Sequence, residues 1–422
     1  MPSEIVPERA PFRVLVIGGS YAGFATIVNL LDLCHGKPCR FAASKTDDAS
    51  RNEPEQRRVP IQVTFVDERD GYYHLIGSPL AFASSSYAAK AWVPYEEIPA
   101  LKTPEVQFVH GTVVEVNCQA KEATIKENNT QTHRRISYDY LIAASGLRRN
   151  WPTVPQALRR KEYLLEMAKH IDGTVRATDG VAVIGGGAVG IEMAAELKAV
   201  RPECKVTLVH SRARLLSSEP LPDEVGNRAL DLLHETGVET IMSTRVTNIE
   251  KKDEKTSVLS LSDGRQITCS LVINAISKFT PTSSYLPASI LDDNGYVKIK
   301  ANLEFPDNAP NAYYHHAAGD IAAWPGIKRC GAAMHHGHYT AINLHQKMLA
   351  ELDRSSALTM KLVELARDVP GVIGLAVGKK AVSYNPLAGV QSGEDVMKVY
   401  FENDLGYRIC WDYMRLGEAA LV

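Results

Sequence analysis

The pattern of apolar residues begins with a short strand that ends in glycine and is followed by an apolar helix. Residues 12–18 contain the run Val-Leu-Val-Ile before the glycine, and the helix is predicted from about residue 22 to residue 33. Residues 35–58 are polar, charged and aperiodic, which predicts a surface insertion or a mobile loop. Further strands are predicted at residues 61–66, 106–116 and 138–143.

The same order of strand, glycine and helix recurs in the second half of the chain. An apolar strand at residues 181–185 ends in glycine, and a helix is predicted from about residue 188 to residue 200. Strands follow at residues 205–209 and 271–275. The recurrence of a whole βαβ unit predicts an α/β fold with mainly parallel sheets.

The pattern after residue 278 predicts that the chain returns to the first βαβ unit and then forms a small separate domain. After Gly319-Asp320 a helix is expected from about residue 332 to residue 350, and two alternating segments lie at residues 397–401 and 407–411. We therefore expect a discontinuous first domain (1–150 and 278–350), a second domain (151–277) and a C-terminal α+β domain (351–422).

Composition excludes several classes of protein. The 422 residues are 45% apolar and 23% charged with a net charge of -2, which gives no support to a nucleic-acid partner. No apolar run is long enough to span a bilayer, and the first nine residues lack the core of a signal peptide. Seven scattered cysteines favour a reducing compartment over a disulfide framework, so a cytoplasmic location is expected.

The first glycine cluster is suited to a dinucleotide. It reads Gly18-Gly19-Ser20-Tyr21-Ala22-Gly23. The first glycine allows a tight turn, the last allows close packing of helix and sheet, and the amides at the helix start face a pyrophosphate. Serine replaces the middle glycine of the usual motif. Asp67, at the end of the next strand, is placed to accept a hydrogen bond from a ribose hydroxyl.

The second cluster matches the complete G-x-G-x-x-G motif through Gly185, Gly187 and Gly190. The following strand ends in His210-Ser211-Arg212 rather than in an acid. An acid favours NADH, whereas cationic groups accommodate the 2′-phosphate of NADPH. Either a preference for NADPH or a solvated basic loop is consistent with this segment.

Two further segments identify the first dinucleotide as FAD. The strand at residues 138–143 ends in small residues at Ser145-Gly146, where the chain crosses to the other domain. Gly319-Asp320 places a carboxylate before a helix, where it suits ribityl hydroxyls. The positive end of that helix would stabilise the negative charge of a reduced flavin. The second dinucleotide is then NADH or NADPH.

With these motifs in register, the chain resembles the two-dinucleotide-binding-domain flavoproteins with a glutathione-reductase-like fold. It is most similar to the apoptosis-inducing-factor-like group that includes the ferroptosis-suppressor quinone reductases, and to fungal members in its Gly-Gly-Ser-Tyr-Ala-Gly turn. The most specific stretches are residues 18–23, 67–74, 138–146, 185–197, 206–211 and 319–320.

The resemblance implies hydride transfer from NAD(P)H to FAD and then to a quinone, dioxygen or another small acceptor. It implies that the backbone at Val113 meets the adenine, and that Lys90 and Glu192 pair beside flavin N5. An exposed surface lysine and an acid favourable at a helix start are the alternatives for these two residues. Leu80 stands where relatives often carry an arginine, and the second crossover reads Ala275-Ile276-Ser277.

Cysteines and histidines suggest other chemistry less strongly. Cys34 and Cys39 have the C-x4-C spacing of disulfide reductases but precede Asp67, so we expect no redox-active disulfide there. The histidines near residues 315 and 336 lack metal-ligand spacing, so no metal site is expected. His335 or His336 is instead a candidate for substrate contact or proton delivery.

Three functions remain open at this point. The first is an NAD(P)H oxidoreductase with a quinone-type acceptor. The second is a tailoring flavoenzyme of secondary metabolism that acts on an aromatic or polyketide substrate. The third is a redox-sensing interaction protein that binds NAD(P)H. The C-terminal domain is expected either to cover the flavin or to form a homodimer.

Overall fold

The first glycine-ended strand lies inside a seven-stranded sheet. A computed structural model describes residues 10–40, 57–276, 279–353 and 360–419. Most of the predicted insertion at residues 35–58 lies outside the described residues. The elements of this part are β1 (Phe12–Ile17), α1 (Tyr21–Cys34), β2 (Ile61–Asp67), β3 (Gly71–Tyr73), α2 (Ser78–Ala81), α3 (Ser85–Ala91), β4 (Trp92–Pro94), β5 (Val106–Asn117), β6 (Glu122–Glu127), β7 (His133–Ser137), β8 (Tyr140–Ala143) and β9 (Leu147–Arg148).

The second glycine-ended strand lies in a separate four-stranded parallel sheet with the order β12-β11-β10-β16. Three antiparallel strands, β13 to β15, form a neighbouring sheet. The elements are α4 (Arg160–Val175), β10 (Val181–Ile184), α5 (Ala188–Val200), β11 (Val206–Val209), α6 (Asp223–Thr236), β12 (Glu239–Ile241), β13 (Val246–Lys251), β14 (Ser257–Leu261), β15 (Gln266–Cys269) and β16 (Leu271–Asn274).

The chain then returns to the first sheet and ends in a small unit of strands and helices. The elements are β17 (Thr280–Pro281), β18 (Val297–Lys298), β19 (His315–Ala317), β20 (Ala322–Ala323), α7 (Cys330–Leu352), β21 (Ile373–Val377), β22 (Lys380–Asn385), β23 (Gly389–Gly393), α8 (Glu394–Tyr400) and α9 (Tyr407–Tyr413). The first sheet has the order β19-β8-β1-β2-β5-β6-β7 and is parallel from β19 to β5.

The two segments with alternating apolar and polar residues near the C-terminus are helical. The alternation at residues 397–401 and 407–411 is typical of strands, whereas these residues lie largely in α8 and α9 and the strands precede them. In α9, the rings of Tyr407 and Trp411 stack 5.8 Å apart. Residues four apart face each other on a helix, so this contact favours helix over strand.

Close packing of α1 against α7 places the start of both helices at one edge of the first sheet. A Cβ atom on Gly337 would lie 2.3 Å from the carbonyl oxygen of Ala22, so glycine is required at this contact. All fourteen residues of α1 are buried. The domain boundaries near residues 150, 278 and 350 stay a prediction. None of the helices in the described ranges combines the length and apolar character that crossing a bilayer requires.

Candidate active site

The two glycine turns open into one cavity of about 1190 Å³. The first glycine turn is residues 18–23, after β1, and the second glycine turn is residues 185–190, after β10. Seven lining residues are cationic, namely Arg69, Arg148, Arg149, Arg212, Arg245, Lys328 and Arg329, and four are acidic, namely Glu68, Glu192, Glu219 and Asp320. The excess of cations favours anionic ligands such as pyrophosphates.

Twelve of the predicted site residues line this cavity. They are Ser20, Tyr21, Ala22, Ser145, Gly146, Gly185, Gly187, Glu192, His210, Arg212, Gly319 and Asp320. The others lie behind the lining or elsewhere, namely Gly18, Gly19, Gly23, Asp67, Lys90, Val113, Gly190 and His336. The roles of both groups of residues toward bound cofactors stay predictions.

The first glycine turn brings the start of α1 directly against the end of β1. Gly18 has a φ of +111°, which is the left-handed region that favours glycine. A Cβ atom on Gly23 would lie 1.9 Å from the carbonyl oxygen of Gly18. Helix and strand can therefore meet only at glycine, and Ser20, Tyr21 and Ala22 face the cavity from the helix start.

Asp67 supports this turn from the neighbouring strand. Its Oδ2 accepts a hydrogen bond from the Gly19 amide at 2.7 Å, and its Oδ1 accepts one from the Arg69 amide at 2.8 Å. Burial raises the pKa of this carboxyl, and the two hydrogen bonds oppose that effect. The carboxylate thus holds the turn that follows β1, and Glu68 and Arg69 line the cavity beside it.

A buried network ties the first glycine turn to the C-terminal segment. The Tyr21 hydroxyl lies 3.1 Å from His74 Nδ1, and His74 Nε2 lies 3.0 Å from the carbonyl oxygen of Leu405. Burial lowers the pKa of His74 to about 4, so the ring is neutral at pH 7. With Nε2 donating to Leu405, Nδ1 is left to accept from the tyrosine.

The segment after β8, where the chain leaves the seven-stranded sheet for the four-stranded sheet, is held by residues 282–285, where the chain returns. Thr282 Oγ1 donates to Ser145 Oγ at 2.8 Å, and the Thr282 amide donates to the Gly146 carbonyl at 3.1 Å. Ser145 Oγ also lies 2.9 Å from the Tyr285 hydroxyl. These contacts hold the two chain crossings together at the cavity edge.

An arginine that the sequence analysis missed faces the predicted ribityl-binding acid. Arg149 Nη2 lies 3.7 Å from Asp320 Oδ2, and the side chains are 17% and 19% exposed. Among the described residues, the buried Nε of Arg149 has no hydrogen-bond partner. Desolvation lowers the pKa of Arg149, and burial raises the pKa of Asp320. A buried guanidinium with spare donors is suited to an anionic or carbonyl-bearing ligand.

This arginine lies just past the crossover rather than at the place where relatives carry one. Leu80, at that place, packs against apolar residues. Arg149 follows Gly146 by three residues, and this closeness to a crossover was the available signal.

The start of α7 also faces the cavity. Arg329, Cys330 and Gly331 line it, and the 23-residue helix directs its unpaired amides toward them. Lys328, the residue before, donates from Nζ to the Ala322 carbonyl at 2.5 Å. Burial lowers the pKa of Lys328. The positive end of α7 therefore faces the cavity, and its predicted position beside a flavin stays a prediction.

His336 is not placed for proton delivery. Its Nδ1 accepts a hydrogen bond from the Gly319 amide at 3.2 Å, it is 9% exposed, and it does not line the cavity. Burial lowers its pKa to about 4. The structure replaces the predicted proton donor with a neutral ring that supports the turn before Asp320, because α7 directs this side chain inward.

Lys90 and Glu192 are not brought together. Lys90 Nζ forms a 2.6 Å ion pair with Asp404 Oδ2 and lies over the Tyr407 ring, 4.6 Å from its centroid. Glu192 Oε1 accepts a hydrogen bond from the Ala376 amide at 3.3 Å. Both residues contact the C-terminal unit, which the sequence could not place, and these contacts replace the predicted pair.

Glu192 remains in the cavity wall with an altered acidity. Burial raises the pKa of Glu192 to about 8, and that of Glu196, one helical turn later, also to about 8. With Oε1 accepting from a backbone amide, Oε2 is the oxygen free to carry a proton near neutral pH. Such a carboxyl can hold or release a proton in a cavity that otherwise favours anions.

The second glycine turn has the same backbone geometry as the first but a more open surrounding. Gly185 has a φ of +115°, and a Cβ atom on Gly190 would lie 1.9 Å from the Gly185 carbonyl oxygen. A Cβ atom on Gly187 would meet no atom within 4 Å. The space in front of Gly187 is therefore available to a ligand.

His210 and Arg212 differ in what they can offer a phosphate. The Gly186 amide donates to His210 Nδ1 at 3.0 Å, and His210 Nε2 lies 3.0 Å from the Arg214 carbonyl. Both ring nitrogens are therefore hydrogen-bonded to the backbone, and desolvation lowers the pKa of His210. Arg212 is exposed, with Nη1 3.3 Å from the Ser217 carbonyl. Of the two residues, only Arg212 carries the charge that the NADPH prediction requires.

The remaining candidates lie away from the cavity. Val113 is buried in β5 within the core, so its predicted backbone contact with adenine stays a prediction. Cys34 is buried at the end of α1 with a free thiol whose pKa is raised by burial. Among the described residues no group of three or more His, Cys, Asp or Glu side chains is arranged to hold a metal ion.

The C-terminal unit supplies an apolar wall that sequence patterns did not indicate. Tyr400, Phe401 and Ile409 line the cavity and are called the apolar wall below. Cys410 follows Ile409 and contacts Cys330 at the start of α7. The wall therefore lies next to the positive end of that helix.

Comparison with known sequences agrees with this geometry. The profile of the family described as pyridine nucleotide-disulphide oxidoreductase matches residues 12–337. An oxidoreductase OXR1 of Ajellomyces capsulatus is 54% identical over 97% of this chain and 89% of its own length. Ferroptosis suppressor protein 1 of Xenopus tropicalis is 25% identical over 83% of this chain and 84% of its own length.

Solved structures share the fold at low sequence identity. An NAD-dependent persulfide reductase from A. fulgidus superposes with a TM-score of 0.63 and 18% identity over 89% of this chain. The match covers 65% of that structure, so this chain spans slightly less than two thirds of its length. The predicted arrangement of two nucleotide-binding units is confirmed.

Proposed function

The chain belongs to the pyridine nucleotide-disulphide oxidoreductase family, and we propose that it passes electrons from NAD(P)H through FAD to a small quinone-type acceptor. The observation that carries this proposal is that both glycine turns open into one cavity with an apolar wall beyond them. FAD, when bound, supplies the redox chemistry by taking up a hydride equivalent and passing electrons on. The protein supplies binding, orientation and charge.

The residues around the first glycine turn fit FAD. The turn packs so closely that a Cβ atom at Gly23 would overlap the backbone, which leaves its amides to face a pyrophosphate. Asp320 offers a carboxylate to ribityl hydroxyls, and Arg149 Nε offers an unused donor. The start of α7 offers amides that stabilise negative charge as the flavin is reduced.

The residues around the second glycine turn fit the nicotinamide dinucleotide. The open space at Gly187 allows the backbone to approach a pyrophosphate. Arg212 offers a cation at the end of β11. Glu192 lines the same cavity and holds a proton at Oε2, where it can serve an acceptor that needs one during reduction.

A planar, apolar acceptor is favoured by the apolar wall. Tyr400, Phe401 and Ile409 present rings and an aliphatic side chain beside the positive end of α7. A quinone ring has the same combination of flat apolar faces and carbonyl oxygens that become anionic on reduction. The cation-rich lining and the helix end would stabilise that anion.

Anaerobic stopped-flow measurements on the purified yellow protein test the proposal. We expect NADH or NADPH to bleach the flavin absorbance rapidly, and menadione or a short-chain ubiquinone to restore it. Bleaching that no quinone reverses would overturn the acceptor and favour a dedicated aromatic substrate. Bleaching too slow for turnover would favour redox sensing. A folded protein that stays colourless when offered FAD would overturn the proposal entirely.

A further inference from the structure

Two cysteines from distant parts of the chain meet in the cavity wall. Cys330 is the first residue of α7 and Cys410 lies on α9, and both thiols are free in the structure. Both line the cavity, and the two thiols lie close enough for each to shift the pKa of the other. The proposed function does not require two thiols at this place. Their proximity therefore needs an explanation of its own.

The surroundings give the two thiols different properties. Hydrogen bonding between the two thiols lowers the pKa of Cys330 and raises that of Cys410. The Gly331 amide and the Arg329 side chain add to the stabilisation of the Cys330 thiolate. Cys410 is 3% exposed, whereas Cys330 is half-buried and reachable from the cavity.

We propose that Cys330 and Cys410 form an oxidative modification site that hydroperoxides convert to a disulfide. In the first step the Cys330 thiolate attacks the terminal oxygen of hydrogen peroxide, the O–O bond breaks, and protonation yields Cys330 sulfenic acid and water. In the second step the Cys410 sulfur attacks the Cys330 sulfur, the S–O bond breaks, and a second water leaves with the proton of Cys410. Two electrons pass from the thiols to one peroxide.

Accessibility and position distinguish this pair from the other cysteines. Cys34, Cys118, Cys204 and Cys269 are buried, and burial raises the pKa of each. Cys39 is half-buried like Cys330 but does not line the cavity. It therefore provides a matched control for simple exposure.

The disulfide would have a structural consequence. Cys410 is held next to Ile409 of the apolar wall, so a covalent bond to the start of α7 would fix α9 against the cavity. An effect on acceptor turnover follows only if the proposed function is right. The thiol chemistry itself can be measured without any acceptor.

The test exposes the holoprotein to hydrogen peroxide, alkylates it in denaturant and measures intact mass and peptides. We expect the number of alkylated thiols in the wild type to fall from seven to five. Peptide analysis should find one disulfide-linked pair that joins the segments of Cys330 and Cys410. Dithiothreitol should restore all seven. Cys39→Ser should still form the same peptide pair.

Two variants assign the roles. Cys410→Ser should stop at a sulfenic acid on Cys330, which dimedone traps, and Cys330→Ser should give neither product. A wild-type protein that keeps seven thiols, or forms a disulfide that excludes Cys330, would overturn the inference. A normal disulfide with no quinone turnover would instead overturn only the proposed function.

Discussion

The two glycine turns share one backbone design in different surroundings. Gly23 and Gly190 each stand where a Cβ atom would lie 1.9 Å from a carbonyl oxygen of the same turn. Every residue of α1 is buried after the first turn, whereas α5 leaves residues at both its ends partly exposed after the second. A Cβ atom on Gly19 would meet the Tyr95 hydroxyl, and one on the equivalent Gly186 would meet Leu215 and His210, but the third position is Ser20 in the first turn and Gly187, with open space in front of it, in the second.

This difference matches two kinds of ligand. A turn followed by a fully buried helix suits a cofactor that stays bound through many cycles, because the surrounding structure holds that site rigidly. An open turn suits a dinucleotide that must enter and leave in each cycle. The C-terminal unit contacts both sides, since Leu405 is hydrogen-bonded to His74 behind the first turn and the Ala376 amide donates to Glu192 on α5 after the second.

Matched alanine substitutions at the two turns should have the largest effect. Gly23→Ala should abolish retention of FAD, because the methyl group forces α1 away from β1. Gly190→Ala should leave the flavin bound and raise KM for NAD(P)H roughly tenfold or more. Flavin-to-protein ratios and steady-state kinetics check this, with circular dichroism to confirm folding. Equal loss of flavin in both variants would contradict the contrast between the turns.

Removal of Arg149 should weaken the closed site strongly. Arg149→Met deletes a largely buried guanidinium with an unused donor. We expect the Kd for FAD to rise roughly 10- to 100-fold, the range for hydrogen bonds to charged groups. Arg149→Lys keeps the charge without the planar donors and should fall between, in titrations of the apoprotein. An unchanged Kd in both variants would remove Arg149 from the site.

Glu192 is half-buried in the cavity wall on the more open side, and its acidity should appear in stability. Its pKa is about 8 in the folded protein, above the ordinary value of a glutamate. Its contribution to stability is therefore complete below the ordinary pKa and is lost as pH rises through about 8. The isosteric Glu192→Gln should reduce the fall in Tm between pH 6 and pH 9 by on the order of 2 °C.

The exposed Glu254 provides the control for that measurement. Glu254→Gln should leave the pH profile of Tm unchanged. A Glu192→Gln profile that superposes on the wild type would mean that Glu192 stays ionised throughout this range.

Arg212 should give the smallest effect, because it is exposed. Arg212→Ala should raise KM for NADPH roughly fivefold or less and leave KM for NADH unchanged, since exposed charge pairs contribute little. Steady-state kinetics with both dinucleotides measure the ratio. A constant ratio would show that the basic loop after β11 does not read the 2′-phosphate.

Local sequence determined the nucleotide-binding framework of this protein. An apolar strand, a glycine turn and an apolar helix are adjacent in the chain, so their pattern predicts the unit wherever it occurs. This is why both turns, the fold class and the family were predicted. The same local reasoning was wrong for residues 397–401 and 407–411, where helix packing outweighed an alternating pattern too short to decide.

Tertiary structure alone decided which distant side chains meet in the cavity. Lys90 pairs with Asp404 instead of Glu192, Arg149 faces Asp320, and Cys330 contacts Cys410. Each contact joins segments far apart in sequence, and no periodicity or spacing records such a distance. The physical reason is that the C-terminal unit and the crossovers are placed by packing of whole elements, and only that packing brings their side chains within bonding reach.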